Sequence, residues 1–434
     1  DGWIYLLGAT FGDALRGTRN VRTIIAFDPR TNARHAVATD AELTRDAAGH
    51  VLVSATRWGR TMWNELIEGQ IRPIDPQVVA LTADNLPFAL ADGRYIRPIK
   101  ETEATLVSAD GTETRFPIAR EDSPLKIFSL CAGGGRIWGG TFIPLTLFSY
   151  DPATGRSQGY GNPTKTSGEI YNMVFSNGKL YMASYTQAMI TRYDPARPWR
   201  KDDSIHANPA HLGLMKETGL PLQRPHGKAM DASGRVYFAA HGGYGCNDSG
   251  LCRIDPVTDE MVSWVYPNTT FGALTYLETG AQLLVSERRA GEAALRFTLI
   301  SPEDGRVLWS EPVIQDEGGV VSWLVGKEDL VYGMHAYRAT LFAFSLAKRR
   351  MVAERREMRV GTHQHNALLD GPDGRIWGVT NRGIFAVTRD LGKEELLAEL
   401  PAGASQDFYR FGACFGPDGA LYFPSGIHLM RMRI

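Results

Sequence analysis

The sequence predicts an all-β fold: a β-propeller of four-stranded antiparallel blades around a central channel, with seven blades as the expected number and eight as the alternative. Three observations predict it. A glycine-turn motif returns along the chain at blade-sized intervals, a later strand ends in Asp-Pro in several copies, and the composition favours turns over helices. The 434 residues include 46 Gly and 23 Pro, and aromatics reach 10%, the profile of many short strands joined by many turns.

The glycine motif reads as an apolar segment, a Gly turn, a basic or small residue, and an aromatic-rich strand. Its clearest copies are "CAGGGRIWGGT" from 131, "FSNGKLYMASY" from 175, "DASGRVYFAAH" from 231, "GPDGRIWGVT" from 371 and "GPDGALYFPSG" from 416. The Gly anchors at 135, 178 and 234 lie 43 and 56 residues apart, and those at 374 and 419 lie 45 apart. Each interval holds three or four strands with turn signals between them, as a propeller blade requires. The second signature is "LFSYDPATGR", "ITRYDPARPW" and "LCRIDPVTDE", with "IIAFDPRTNA" near the N-terminus. In each, Asp opens the turn and Pro presets its φ. One four-stranded sheet cannot bury both its faces, whereas a ring of such sheets buries each face against a neighbour. Up to ten candidate units are visible. The whole chain, 1–434, is therefore read as a single propeller domain, with surplus N-terminal copies as outer strands or insertions.

Composition excludes some partners. Lys plus Arg (47) nearly cancel Asp plus Glu (48), so neither a nucleic acid nor an anionic membrane is implied. No apolar run is long enough to span a bilayer, and the chain opens in a strand-like "DGWIYLLG". A monomer is expected. Cys246 and Cys252 bracket "CNDSGLC", a spacing that suits a small disulfide and would point to an oxidising compartment; Cys131 and Cys414 sit in apolar strands as packing thiols.

A blade runs from an inner strand, a, outward to d. The a-to-b and c-to-d turns lie on one face, and the b-to-c and d-to-a segments on the other. The first set is chemically bland: "SNG", "ASG", "PDG". The second holds Tyr185, Arg224, His226, His241, Tyr244, Glu287, Arg289, His335, Tyr337, Arg338, His363, His365, Asn381, Asp407 and Arg410. A single loop His or Arg is commonly just solvated, and a loop Tyr often only a packing lid. Segregation to one face is harder to explain that way, because a random scatter would decorate the Gly turns as well.

His, Tyr and Arg with few carboxylates suit an anionic, hydroxyl-rich ligand. Arg forks onto a carboxylate, aromatic rings pack on sugar rings, and imidazole or phenol moves protons. A uronic-acid polysaccharide meets all three, and β-elimination needs these residue types: a base for the proton α to the carboxylate, cations to stabilise the enolate-like anion, and an acid for the departing oxygen. A glycoside hydrolase on the same scaffold would want a carboxylate pair, for which the face offers mainly Glu287 and Asp407. A non-catalytic glycan- or protein-binding propeller is the further alternative; a lactonase-like propeller would need more carboxylates around a metal. No GxSxG, Walker A, GxGxxG or HExxH motif is present. No cofactor is required. His363 and His365, with His335 or with His241 and Cys246, leave open a structural zinc or calcium ion.

From about Tyr171 to Val352 the order of segments resembles the secreted β-propeller polysaccharide lyases, the group of ulvan lyases and rhamnose–glucuronate lyases. The likeness lies in "GEIYNMVFSNGKLYMASYTQAMITRYDPARPW", "NPAHLG", "QRPHGKAMDASGRVYFAAHGGYG" and "LVYGMHAYRATLFAFSLAKRRMV". It implies a seven-bladed propeller acting in the secreted or periplasmic space on uronate-containing polysaccharide, with a His/Tyr pair, an Arg and in some members a structural metal. The matching positions are Tyr185, Arg224, His226, His241 and Tyr244. The loop in "GGTFIPLTLFSYDP" lacks the histidine such a lyase would place there. Proton transfer is thus expected of His226 or His241 with Tyr244, and charge neutralisation of Arg224 or Arg338. His335, Tyr337, His363, His365, Arg289, Asn381 and Arg410 are expected to bind substrate.

Overall fold

A computed structural model describes the chain except for residues 1, 11–20, 40, 46–48, 58–59, 75–87, 90–93, 101–102, 109, 118–123, 203, 205, 316–318, 328, 336–339, 357, 359–362, 381 and 401–411. The described residues form strands and turns, with no helix among them. Every strand pair is antiparallel, and the chain divides into two compact units, Asp1–Ser123 and Pro124–Ile434.

The first unit holds three sheets. One is three-stranded (Ile4–Thr10, Val21–Asp28, Ala33–Thr39) and two are four-stranded, spanning Glu42–Arg45 to Gln70–Pro73 and Phe88–Ala89 to Glu113–Pro117. Ile24, Ala41, Val53 and Leu66 form its apolar cluster.

The second unit is the propeller, with seven sheets whose strands follow chain order from inside outward. The inner strands are Ile127–Gly133, Ile170–Ser176, Arg224–Met230, Thr269–Leu277, Val320–Val325, His363–Asp370 and Cys414–Phe415. Six blades have four strands and the seventh has three. The surplus N-terminal repeats of the sequence belong to the first unit, which leaves seven blades in residues 124–434.

Each joint between neighbouring blades carries its own apolar cluster. Cys131, Trp138, Leu145 and Leu147 of the first blade meet Ile170, Met173, Leu180 and Met182 of the second. At the last joint Ile127, Leu130 and Ile137 meet Ala420 and Tyr422, and the Ile127 amide donates to the Gly426 carbonyl at 2.8 Å. The ring therefore closes on itself, and each large apolar side chain buried in a joint contributes about 1.5–3 kcal/mol.

Both sequence signatures have a visible cause. The anchors Gly135, Gly178, Gly234, Gly374 and Gly419 all hold φ between 74 and 86°, a region that a side chain disfavours. The Asp of each Asp-Pro pair accepts the amide two residues on: Asp28 from Arg30 at 3.0 Å, Asp151 from Ala153 at 2.9 Å, Asp194 from Ala196 at 2.9 Å, and Asp255 from Val257 at 2.8 Å.

The suggested Cys246–Cys252 bridge is not formed. Both are free thiols buried in the joint between the second and third blades, where Cys252 lies mid-strand opposite Phe238 and Cys246 approaches Lys216 Nζ at 3.8 Å. Their spacing reflects packing on one cluster.

Candidate functional site

The hairpin of the third blade shows how the site is assembled. Its inner strand Arg224–Met230 alternates, with Pro225, Gly227 and Ala229 buried and Arg224, His226 and Lys228 half-buried. Gly227 and Ala229 pack towards the fourth blade, which turns His226 and Lys228 on the alternate positions towards the second, where His226 stacks on Tyr171 and Lys228 Nζ reaches the Met173 carbonyl. Arg224 pairs in register with His241, the last residue of the next strand, Val236–His241. The start of strand a and the end of strand b thus emerge on the same side, and the loop after His241 carries Tyr244.

The same logic brings in two more blades. In the second blade, Glu169 precedes the inner strand, Tyr171 lies within it, and Tyr185 follows strand Lys179–Ser184. The Tyr185 amide donates to the Glu169 carbonyl at 2.9 Å, and Thr166 Oγ1 donates to the Tyr185 carbonyl at 2.9 Å. The sixth blade supplies His365 and Asn366 from across the axis. Asn366 Nδ2 donates to Asn172 Oδ1 at 2.9 Å and to the His226 carbonyl at 3.2 Å, while Asn172 Nδ2 donates to the Pro225 carbonyl at 2.7 Å. These amides tie the inner strands of the neighbouring second and third blades to that of the sixth.

Above them lies a continuous aromatic and basic cluster. The His226 ring stacks on Tyr171 (centroids 5.4 Å apart, 17° between planes) and contacts His241 at 4.8 Å and His365 at 5.0 Å. Phe128 packs edge-on against Tyr171 at 4.9 Å. Tyr185 and Tyr244 share a hydroxyl–hydroxyl hydrogen bond of 2.8 Å, and Arg224 Nη2 donates to the Tyr244 hydroxyl at 3.3 Å. The Arg224 guanidinium lies 5.8 Å from the Tyr185 ring centre and 5.3 Å from that of Tyr244. Tyr244 is 53% exposed and holds φ at 53°, a left-handed conformation that costs a bulky residue about 1–2 kcal/mol. Gln187, Ala188 and Asn366 are also left-handed.

Burial sets the protonation states. It pulls His241 and His365 down to about 4 and His226 well below its usual range, with neighbouring imidazoles adding to the effect on His226 and His365. All three are neutral at pH 7. His241 Nδ1 lies 2.9 Å from the Gly242 carbonyl, an acceptor, so Nδ1 carries the hydrogen and Nε2 offers a lone pair. Burial, with Tyr244 alongside, pushes Tyr185 up to about 12; burial and Glu169 push Tyr171 higher still. Glu169 is 5% exposed, its Oε2 has no hydrogen-bond partner, and burial raises its pKa against the pull of Arg224.

Of the expected catalytic residues, His226, His241, Tyr244, Arg224 and Tyr185 come together. His226 does so as a packing member, since its Nε2 is buried. His365, expected to bind substrate, packs against the His226 ring. His335 closes strand Leu330–His335 at only 2% exposure, which removes it from any open subsite. Arg289 pairs with Glu287 at 2.6 Å; Glu287 is 2% exposed and accepts from Thr298 Oγ1, so both belong to the fabric of the fourth blade. Tyr337, Arg338, Asn381, Asp407, Arg410 and the His363 side chain lie outside the described residues. Among the described residues no group of three or more His, Cys, Asp or Glu forms a metal site. Sequence reasoning missed Glu169, Tyr171, Asn172 and Asn366, which occupy or adjoin inner strands rather than outer loops.

No family model and no curated protein sequence matches the chain. Solved structures do. A catalytically inactive variant of virginiamycin B lyase from Staphylococcus aureus, with quinupristin, is similar over 70% of this chain and 94% of its own, with a TM-score of 0.52 and 13% identity. The Dos1 propeller is similar over 72% and 86% (TM-score 0.46, 11% identity). The extracellular domain of a one-component system from B. thetaiotaomicron is similar over 95% and 68% (TM-score 0.39, 10% identity). At these identities the likeness to the lyase is one of fold.

Proposed function

We propose that this propeller is a polysaccharide lyase that cleaves a uronate-containing glycan by β-elimination at the mouth formed by the second, third and sixth blades. The observation that carries the reading is the convergence of one guanidinium, two joined phenols and a neutral imidazole with a free ring nitrogen. Arg224 binds the uronate carboxylate and stabilises negative charge that develops there as the adjacent C–H bond breaks. His241 Nε2 takes that proton, because a neutral imidazole is a base and Tyr185, pushed up to about 12 by burial, is not. The electron pair forms the carbon–carbon double bond as the glycosidic C–O bond at the β-carbon breaks. Tyr244, exposed and backed by Tyr185, gives its proton to the departing oxygen and is reprotonated from solvent as His241 returns its proton there. The sum is one glycan chain converted into two, one with an unsaturated uronate end, with no water consumed.

Virginiamycin B lyase is a lyase built on the same fold, which is consistent with elimination chemistry on such a ring. A retaining or inverting hydrolase would need two carboxylates flanking the bond; among the described residues of this cluster Glu169 is the sole carboxylate. A polysaccharide substrate would place the protein outside the cytoplasm.

The test is incubation with unsulfated glucuronate- and rhamnose–glucuronate-containing glycans. Absorbance near the ultraviolet edge should rise with the wild-type chain, and Tyr244→Phe should slow it by about 10²–10⁴-fold, the usual contribution of a positioned proton donor. New chain ends without a double bond would replace the lyase with a hydrolase, and retained affinity without turnover would leave a glycan-binding propeller.

A further inference from the structure

Glu169 is the residue the elimination scheme leaves unused, yet it sits inside the site. Its carboxyl is buried, Oε2 has no hydrogen-bond donor, and its own backbone carbonyl holds the Tyr185 amide at 2.9 Å. The charged and titratable groups that act on it are Arg224 from the third blade, Tyr171 from the inner strand that follows it and Tyr185 from the end of the next strand. Tyr244 and His226 lie one contact further, on Tyr185 and Tyr171. With the imidazoles and phenols neutral, the local charge among the described residues is one guanidinium against one carboxylate.

That balance changes when an anion arrives. A ligand carboxylate on Arg224 would bring a second carboxylate into a partly buried site whose guanidinium already acts on Glu169, and there one of a pair of like charges is driven to protonate. The ligand's carboxylate gains the guanidinium fork. Glu169 already carries the cost of burial and an oxygen that nothing donates to, so it is the member that takes the proton. Once neutral, that carboxyl has an O–H to give, and a glycan hydroxyl or carboxylate oxygen beside Arg224 is the acceptor at hand.

We propose that Glu169 takes up one proton when an anionic ligand binds and then donates a hydrogen bond to it, so that Glu169 determines which anions the site accepts. The proposal rests on the reading of Arg224 as the carboxylate anchor. Ligands bearing one carboxylate fit this arrangement, whereas a sulfate ester crowded against the same carboxyl adds an anion that one proton does not neutralise.

The experiment is calorimetric titration of the full chain, in a Tyr244→Phe background that suppresses turnover, with an unsulfated oligoglucuronate in two buffers of unlike ionisation enthalpy. The parent should take up about one proton per ligand at neutral pH, and its affinity should fall up to about tenfold per pH unit on the alkaline side. Adding Glu169→Gln should abolish the uptake and flatten the pH dependence while binding persists. Uptake that survives Glu169→Gln, or binding without uptake in the parent, overturns the proposal. If the oligoglucuronate does not bind at all, the uronate reading fails by itself. Glu169 is then judged by infrared spectroscopy of the unliganded chain: Arg224→Met should produce a neutral-carboxyl band at neutral pH that Glu169→Gln removes, and its absence sinks the Glu169 proposal.

Discussion

Three imidazoles held neutral in one cluster make mild acid costly to this protein. The folded values for His241 and His365 lie at about 4 and that of His226 lower, whereas an unfolded histidine titrates at about 6.5. Between those values the unfolded chain binds more protons, so stability rises with pH across the window and is lost as pH falls through it. Glu169, raised by burial, works in the opposite direction, one carboxyl against three imidazoles. Carboxylates with lowered values, such as Asp202 at about 2, titrate below the window and leave it clear. Melting temperature should therefore drop between pH 7 and pH 5 by an amount reflecting about 1–3 kcal/mol per imidazole, and His365→Gln should make the slope shallower; a flat profile in the parent chain would refute the neutral cluster. These histidines were legible as a group because strand order alone sends both ends of an a–b hairpin to one face. Glu169 and Tyr171 were not, although "GEIYN" was in plain view, because a carboxyl or phenol at an inner strand is read as scaffold until its neighbours across the axis are known.

At the scale of the blade, one packing device recurs that the repeats showed only as letters. Gly139, Gly333 and Gly378 lie on second strands and pair in register with Phe148, Phe342 and Phe385 on third strands. A Cβ at these glycines would meet the paired ring at 2.1, 2.2 and 2.2 Å, so each ring lies flat over a missing side chain. The sequence displays this as "IWGG", "VYGM" and "IWGV", where the glycine could equally have marked a bulge. Gly378→Ala should destabilise the chain by about 1–3 kcal/mol through overpacking, read as a lower urea midpoint at unchanged slope. Gly159, on an outer strand with open space around it, is the control: Gly159→Ala should cost nothing measurable. Equal losses at both positions would mean that glycine matters for the backbone there and not for the ring above it.

The whole-molecule question is what makes the ring a ring. Ten candidate repeats were countable in the sequence, but periodicity cannot say which units share joints, because a joint is a contact between strands that no local pattern records. The structure places seven joints within residues 124–434, and the closing one joins the last blade to the first. Among the described residues that blade is made from one continuous stretch, Cys414–Phe415, Leu421–Ser425 and His428–Met432, and no strand from the start of the ring joins its sheet. Two consequences follow for truncation. A fragment of residues 124–434 keeps all seven joints and should fold alone, with one cooperative melting transition. A fragment ending at residue 413 loses the partners of Trp377, Val379 and Ile384 on one side and of Ile127, Leu130 and Ile137 on the other. At about 1.5–3 kcal/mol per buried side chain, that loss is comparable to the whole stability of an ordinary domain, about 5–15 kcal/mol. The shorter fragment should therefore lack a cooperative transition by calorimetry. A native-like melt from it would show that the other blades hold together as an open array without closure, and failure of the longer fragment to fold would show that the ring needs the first 123 residues as well.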